Sequence, residues 1–342
     1  TAYPVAGLAL SVIAYGLIGV GVGASGTSLL ALLATATDPR RRAAAATITW
    51  LMMIAGIAVT AGIVGGLLDP YSPALLLRIV GAVTVGAVAL TALAVYGIER
   101  RVIAEREAET TPFRQGMVEV WAEPEARRFT LFVFLSMTAY FLQELILEPY
   151  AGLVFAMTPG QSTQLSGAQH GGVFGGMLLV GIAATGLRFG SLRAWVVAGC
   201  LGSAMSLVAV AVLGQAGAGL VPAVVALGVF NGMFAVATIG SMMALAGRGR
   251  HAREGTRMGL WGAAQALAAG FGGLAGAAAV DVLRLALPAP QAFGAVFLAE
   301  AGLFVLAAIM ALTIIEGRAS HPSPNRPVPK DRAMAGSLRD GI

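Results

Sequence analysis

Long apolar runs alternate with short arginine-rich connections along the whole chain. Nine runs are long enough to cross the hydrocarbon core of a bilayer as helices, which takes about 20 residues. They lie at roughly 3 to 36, 45 to 67, 77 to 97, 128 to 148, 166 to 187, 192 to 213, 219 to 246, 257 to 280 and 292 to 315. A closed barrel is the other structure that satisfies its own backbone in lipid, but it is built from alternating segments of about ten residues, a pattern not found here. The pattern therefore predicts an all-α integral membrane protein with about nine transmembrane helices.

Composition agrees with the pattern: 57% of the 342 residues are hydrophobic and 11% charged, and the mean hydropathy is +0.81. Forty-six glycines point to helices that pack closely through small residues, since lipid supplies no hydrophobic drive for helices to associate. The single cysteine, Cys200, can form no intramolecular disulfide.

Charge adds a topology. Arginine and lysine concentrate at Arg40 to Arg42, Glu99 to Arg128, Arg188 and Arg193, Arg248 to Arg257 and Arg318 to Arg339, which leaves only Arg78 and Arg284 for the opposite side. Such a bias places those connections and the C-terminus in the cytoplasm. The net charge of +5 thus reflects topology, with anionic lipid headgroups rather than nucleic acid as the partner. Nine spans then put the N-terminus outside, and Thr1 falls almost within a span, which predicts an upstream portion. The longest connection mixes acidic and basic residues with Pro112 and Pro124 and reads as a linker carrying a short amphipathic helix. It divides the chain into a partial three-helix bundle (1–97), the linker (98–127), a six-helix bundle (128–316) and a cytoplasmic tail (317–342).

An internal repeat explains the unequal halves. A constant offset of 211 residues pairs Gly21 with Gly232, Thr27 with Thr238, Arg42 with Arg253, Trp50 with Trp261, Gly62 with Gly273 and Gly65 with Gly276. Both copies run span, basic loop, span. Two parallel halves joined by a cytoplasmic loop resemble the major facilitator superfamily, and the nine spans then correspond to the fourth to twelfth helices of a twelve-helix parent. "GLRFGSLR" at 186–193 resembles that superfamily's short glycine- and arginine-rich loop, without its acidic residue, and is equally well read as a tight turn with arginines at the membrane edge.

The polar hairpin "ELILEPYAGLVFAMTPGQSTQLSGAQHGG" at 144–172 interrupts the oily pattern. Spacing places Glu144 and Glu148 on one helical face beside Gln143. Pro149 marks a stop or kink, "TPGQST" the turn, and His170 the start of the next helix. Gly171, Gly172, Gly175 and Gly176 leave a bare face that admits either another backbone or a flat ligand. A hydrogen-bonded cap joining two helices at the outer interface is the structural alternative for the whole cluster.

The stretches "LQELILEPYAG", "TPGQSTQLSGAQHGG" and "RRRAAAATITWLMMI" resemble the bacteriochlorophyll delivery branch of the major facilitator superfamily, to which the light-harvesting assembly proteins PucC and LhaA belong. The resemblance covers essentially the whole chain. It implies assembly of a purple-bacterial antenna in the photosynthetic intracytoplasmic membrane, with antenna polypeptides or a reaction-centre antenna complex, bacteriochlorophyll and membrane lipids as partners. Under it, His170 becomes the candidate axial ligand to bacteriochlorophyll magnesium, since His251 and His321 fall in a polar loop and tail. Gln143, Gln169 and Tyr150 become candidate hydrogen-bond partners of the ring, Glu144 and Glu148 its acidic neighbours, and Gly171 and Gly172 the room for the macrocycle.

Glu300, in the middle of the last span, is costly as a charge at that depth. It is either a neutral carboxyl bonded to another helix or part of pigment or partner binding. Asn231, Thr238, Thr47 and Thr49 are expected to bond across helices, and Trp50 and Trp261 to anchor or pack rather than stack on pigment. Arg42, Arg253 and Arg257 serve topology and headgroups, or latch the two halves by pairing with acidic residues. No nucleophile triad, histidine–cysteine metal spacing or phosphate loop is present, so the expectation is a non-enzymatic assembly factor. A secondary transporter of a lipophilic solute and a structural subunit of a photosynthetic supercomplex are the alternatives.

Overall fold

The computed structural model describes residues 4–37, 42–98, 113–187, 189–216, 219–246 and 254–315. Every regular element among them is helical: α1 (Pro4–Ala36), α2 (Arg42–Leu67), α3 (Pro73–Val95), α4 (Phe113–Ala122), α5 (Pro124–Leu142), α6 (Leu147–Phe155), α7 (Pro159–Gly181), α8 (Leu192–Ala216), α9 (Val221–Ala246), α10 (Glu254–Leu283) and α11 (Ala289–Ile314). Eight stretches among the described residues are long and apolar enough to cross a membrane, one of them running from Pro124 through α5 and α6 to Phe155. The molecule is an all-α integral membrane helix bundle.

Of the nine expected spans, the one at 166 to 187 fails the hydropathy test. It nevertheless forms α7, a 23-residue helix that begins seven residues earlier than its apolar run. Its N-terminal half, Pro159 to His170, is polar because it faces protein: α7 packs against α2 on one side and α9 on the other.

Most of the core lies in α5 to α11. Phe129, Phe132, Tyr150, Phe234, Phe293, Phe297 and Phe304 are fully buried there, with Phe129 edge-on to Trp261 at 4.9 Å and Phe234 edge-on to Phe304 at 5.9 Å. By contrast α3 has no buried residue, and the apolar side chains of α1 from Val5 to Val22 are exposed. In a bilayer these surfaces meet lipid or other helices.

Backbone contact through glycine holds the bundle together. A Cβ added at Gly172 or Gly176 of α7 would strike the carbonyl oxygens of Val225 and Val229 on α9. Reciprocally, one added at Gly228 or Gly232 of α9 would strike those of Gln169 and Val173 on α7. Each helix thus supplies two glycines four residues apart, the small-residue spacing that lets membrane helices approach to backbone contact. On its other side, α7 brings Gly160 and Gly167 against Gly65 and Gly62 of α2. The repeat-equivalent Gly276 of α10 meets the Leu142 carbonyl of α5.

The N-terminus of α7 is defined by a capping box. The Thr158 hydroxyl accepts from the Gln161 backbone N–H at 3.2 Å, and the Gln161 side chain accepts from the Thr158 N–H at 3.0 Å. Pro159 fills the first helical position, where its missing N–H costs nothing. Thr158 also donates to Asp69 at 3.0 Å, tying the end of α2 to this cap. The glycine–arginine stretch follows a π-helical turn, Ile182–Gly186. Gly190 takes a positive φ of 79°, and Trp195 donates its indole N–H to the Phe189 carbonyl at 3.1 Å across the turn.

Candidate functional site

A cleft of about 230 Å³ opens where α2 meets α5, α7, α9 and α10. From α2 it receives Trp50, Met53, Ile54 and Ile57. Met137, Tyr140 and Phe141 of α5 join Glu144 on a second wall, followed by His170, Val173 and Met177 of α7 and Gln265 of α10. Met137, Tyr140 and Phe141 fall at the i, i+3, i+4 spacing of one face of α5, and Glu144 follows in the turn beyond its end. The lining is apolar and aromatic with three converging polar groups, the usual character of a small-molecule site.

His170 lies at the middle of α7, the twelfth of its 23 residues, and so about 16 Å from the helix start. The expectation that it sits near a helix start is corrected, because the capping box moves that start back to Pro159. The Nδ1 of His170 lies 2.9 Å from the Ser166 carbonyl oxygen. A carbonyl only accepts, so Nδ1 carries a proton, and in the neutral tautomer that this contact selects the lone pair lies on Nε2. Nε2 faces Glu144, whose Oε1 is 3.7 Å away, beyond hydrogen-bond length.

The two hairpin glutamates do not share a face. α5 ends at Leu142, residues 143 to 146 form a turn, and α6 begins at Leu147, so the break precedes Pro149 instead of following Glu148. Pro149 occupies the first turn of α6, where a proline is tolerated. Glu144 therefore points into the cleft, while Glu148 accepts a hydrogen bond from the Ser166 hydroxyl at 2.9 Å and braces α6 on α7.

The remaining sequence-selected residues separate in the same way. Tyr150 is fully buried, donates to the Val210 carbonyl at 2.6 Å, and packs against Phe155, Phe293 and Phe297; its hydroxyl is committed to α8 and does not reach the cleft. Gly172 is filled by α9, whereas Gly171 has nothing within 4 Å. Gln169 is buried beside the α9 seam. Gln143 is fully buried, and neither its amide oxygen nor its nitrogen has a hydrogen-bond partner among the described residues.

Glu300 is also fully buried on α11, and both its oxygens lack a hydrogen-bond partner among the described residues. Of its two readings, the bond to another helix is not made among the described residues. Asn231 does bond across helices, accepting from Ser203 of α8 at 2.8 Å. Thr49 instead donates within its own helix to Ala45 at 2.9 Å, and the Thr238 hydroxyl has no hydrogen-bond partner among the described residues.

Repeat-equivalent tryptophans have different surroundings: Trp261 is packed in the core against Phe129, while Trp50 lines the cleft. Arg257 is buried and paired with Glu123, the residue before α5. This pair fastens α10 to the start of α5. The Arg42 side chain, Arg253, His251 and His321 lie outside the described residues. Gln265, Tyr140 and Met137 were missed as cleft residues, although their helical spacing from Glu144 and Trp261 was available in the sequence.

Among the described residues, no group of three or more histidine, cysteine, aspartate or glutamate side chains could cage a metal ion. A lone imidazole facing an apolar cleft suits a metal whose other ligands arrive with it, as in a metallated macrocycle.

The family model described as PUCC protein matches residues 1–319. Among similar proteins, the "Bacteriochlorophyll synthase 44.5 kDa chain" of Rhodobacter capsulatus is 67% identical over 319 residues, covering 93% of this chain and 74% of the relative. An uncharacterised protein of the puhA–bchM intergenic region of Rhodobacter capsulatus is 31% identical over 290 residues, 83% of this chain and 60% of that one. Protein PucC of the same species is 27% identical over 327 residues, 91% of this chain and 69% of that one. The chain belongs to the PUCC protein family.

Proposed function

We propose that this member of the PUCC family is a non-enzymatic assembly factor for a purple-bacterial light-harvesting antenna, holding bacteriochlorophyll in the cleft between α2 and the α5–α10 wall. The observation that carries the proposal is the His170 imidazole, with its Nδ1 held against the Ser166 carbonyl and its ring on the wall of a largely apolar cleft. Nε2 would be the single axial ligand of the pigment magnesium, Gly171 would leave room beside it, and Trp50 would offer an aromatic face. The relative named as a chain of bacteriochlorophyll synthase supports a pigment context.

The architecture behind this reading is of the major facilitator type, with 1–97 and 128–316 as two related halves, 98–127 as the linker and 317–342 as a cytoplasmic tail. It is supported by the constant sequence offset and by the matching placement of Gly65 and Gly276 at backbone contacts with neighbouring helices. The home of the protein would be the photosynthetic intracytoplasmic membrane with the C-terminus cytoplasmic. Antenna polypeptides would dock on the exposed apolar helices.

The test is an absorption titration of the purified full chain with bacteriochlorophyll, alongside His170→Ala and Glu144→Gln. Saturable binding lost in His170→Ala supports the proposal, and absence of saturable binding by the wild type overturns it. A deletion strain expected to make normal pigment but little mature antenna separates assembly from biosynthesis.

A further inference from the structure

Three polar side chains lie in the core formed by α5 to α11, apart from the cleft. Gln143, Asn231 and Glu300 are each completely buried. Among the described residues, both amide atoms of Gln143, Nδ2 of Asn231 and both carboxyl oxygens of Glu300 have no hydrogen-bond partner. Buried polar groups are costly to leave in that condition.

Helical register brings the three together. On α5, Thr138 and Leu142 face Gly272 and Gly276 of α10, while Met137 and Tyr140 line the cleft. Ser136, Ala139 and Gln143 recur at three and four residues on the remaining face and are fully buried. That face is left for α11, which packs along α5. Across the bundle, Phe234 of α9 meets Phe304 of α11 at 5.9 Å. Asn231 precedes the first ring by three residues and Glu300 the second by four, so both stand one turn back on the same faces of two spans running in the same direction. Glu300 is within electrostatic reach of Glu144, the neighbour of Gln143.

Donors and acceptors decide what fits there. The amide N–H groups of Gln143 and Asn231 donate, and the Gln143 carbonyl and the Glu300 carboxyl accept. A metal cation would take the oxygens and leave the amide donors orphaned, and the Asn231 oxygen is already held by Ser203 at 2.8 Å. A hydrocarbon chain would satisfy none of them. Water donates and accepts, and each buried water makes about three hydrogen bonds.

We infer that Gln143, Asn231 and Glu300 form an internal water site, in which a small cluster of ordered water molecules joins α5, α9 and α11. The cluster solvates the acidic side chain of α11 at a depth where an unsolvated charge is expensive. It stands whether or not the cleft takes pigment.

X-ray radiolysis of the purified full chain tests the site, because radicals formed from bound water oxidise the side chains beside it. Phe297 and Phe304, one turn to either side of Glu300, should be oxidised several-fold faster than Phe132, an equally buried ring about 16 Å along α5 from Gln143. Both should carry the isotope after equilibration in oxygen-labelled water. Gln143→Leu combined with Asn231→Leu removes the amides and should bring the two rings down to the Phe132 rate. Glu300→Gln keeps a donor and an acceptor and should leave the rates high. Equal rates for the three rings in the wild type overturn the inference, as does a folded double variant that keeps the difference. If the double variant does not fold, the wild-type comparison decides. Thermal stability raised by sodium and not by choline, and no longer raised in Glu300→Gln, would assign the site to a cation and overturn the water reading.

Discussion

Nε2 of His170 faces Oε1 of Glu144 across 3.7 Å, while the opposite nitrogen of the same ring is held by the Ser166 carbonyl at 2.9 Å. The Ser166 carbonyl orients the ring through Nδ1, and the Glu144 carboxyl stands beside Nε2 without reaching hydrogen-bond distance. His170→Gly should lower pigment affinity at least about tenfold, the equivalent of about 1.4 kcal/mol, and added imidazole should restore it. Glu144→Gln keeps the lone pair and should retain pigment. Loss in Glu144→Gln with retention in His170→Gly would assign ligation to the carboxylate instead.

Adjacent glycines on α7 should respond oppositely. Gly172 abuts the α9 backbone, so Gly172→Leu should cost at least about 1–3 kcal/mol by overpacking. Gly171 faces open space, and Gly171→Ala should be neutral or gain about 0.5–1 kcal/mol from helix propensity. Thermal denaturation of the two variants in one detergent checks the pair, and equal destabilisation would contradict the seam.

Tyr150→Phe removes the hydroxyl that donates to Val210 and should destabilise the bundle by about 1–3 kcal/mol while pigment affinity stays unchanged. A change in pigment affinity without loss of stability would return Tyr150 to the site that its sequence position suggested.

At the other end of α5, Glu123→Gln removes a carboxylate from beside the buried Arg257 guanidinium. The expected cost is about 1.5–3 kcal/mol, as for a hydrogen bond to a charged group. Because Glu123 keeps a third of its side chain exposed, the loss should shrink at high salt. Denaturation measured at two ionic strengths reads both effects.

Glu300→Gln should leave stability within about 1 kcal/mol, because neither carboxyl oxygen has a hydrogen-bond partner to lose among the described residues. Glu300→Lys should cost several times more, since an obligate charge at such depth is worth at least about 2.5 kcal/mol on insertion scales. Antenna assembly that survives Glu300→Gln would make the residue structural, and assembly that fails in a stable protein would place it in function.

How the hairpin was read shows what sequence can and cannot carry. Hydropathy located α8, α9 and α11 to within a few residues because their faces are apolar. It placed α7 late, because Pro159 to His170 packs on protein and carries no lipid-facing pattern. The Thr158–Gln161 capping box was the overlooked signal, and with it His170 falls at mid-helix. The division between Glu144 and Glu148 was not legible, since the first helix ends at Leu142, six residues before the expected end at 148, which leaves Glu144 facing the cleft and Glu148 bonded to Ser166. Tyr150 and Trp50 exchanged their expected places for a related reason: aromatic residues read alike in sequence, and only packing decides which ring is core and which is wall.

The reciprocal seating of α7 and α9 also has a genetic consequence. Every amino-acid change at a glycine codon adds a side chain, and at Gly172, Gly176, Gly228 and Gly232 that side chain has no room. A saturation library selected for photosynthetic growth would therefore be depleted at these four codons and permissive at Gly171 and Gly175, whose surroundings are open. The helix pairing would be visible in sequencing reads alone, as a four-residue rhythm of forbidden positions.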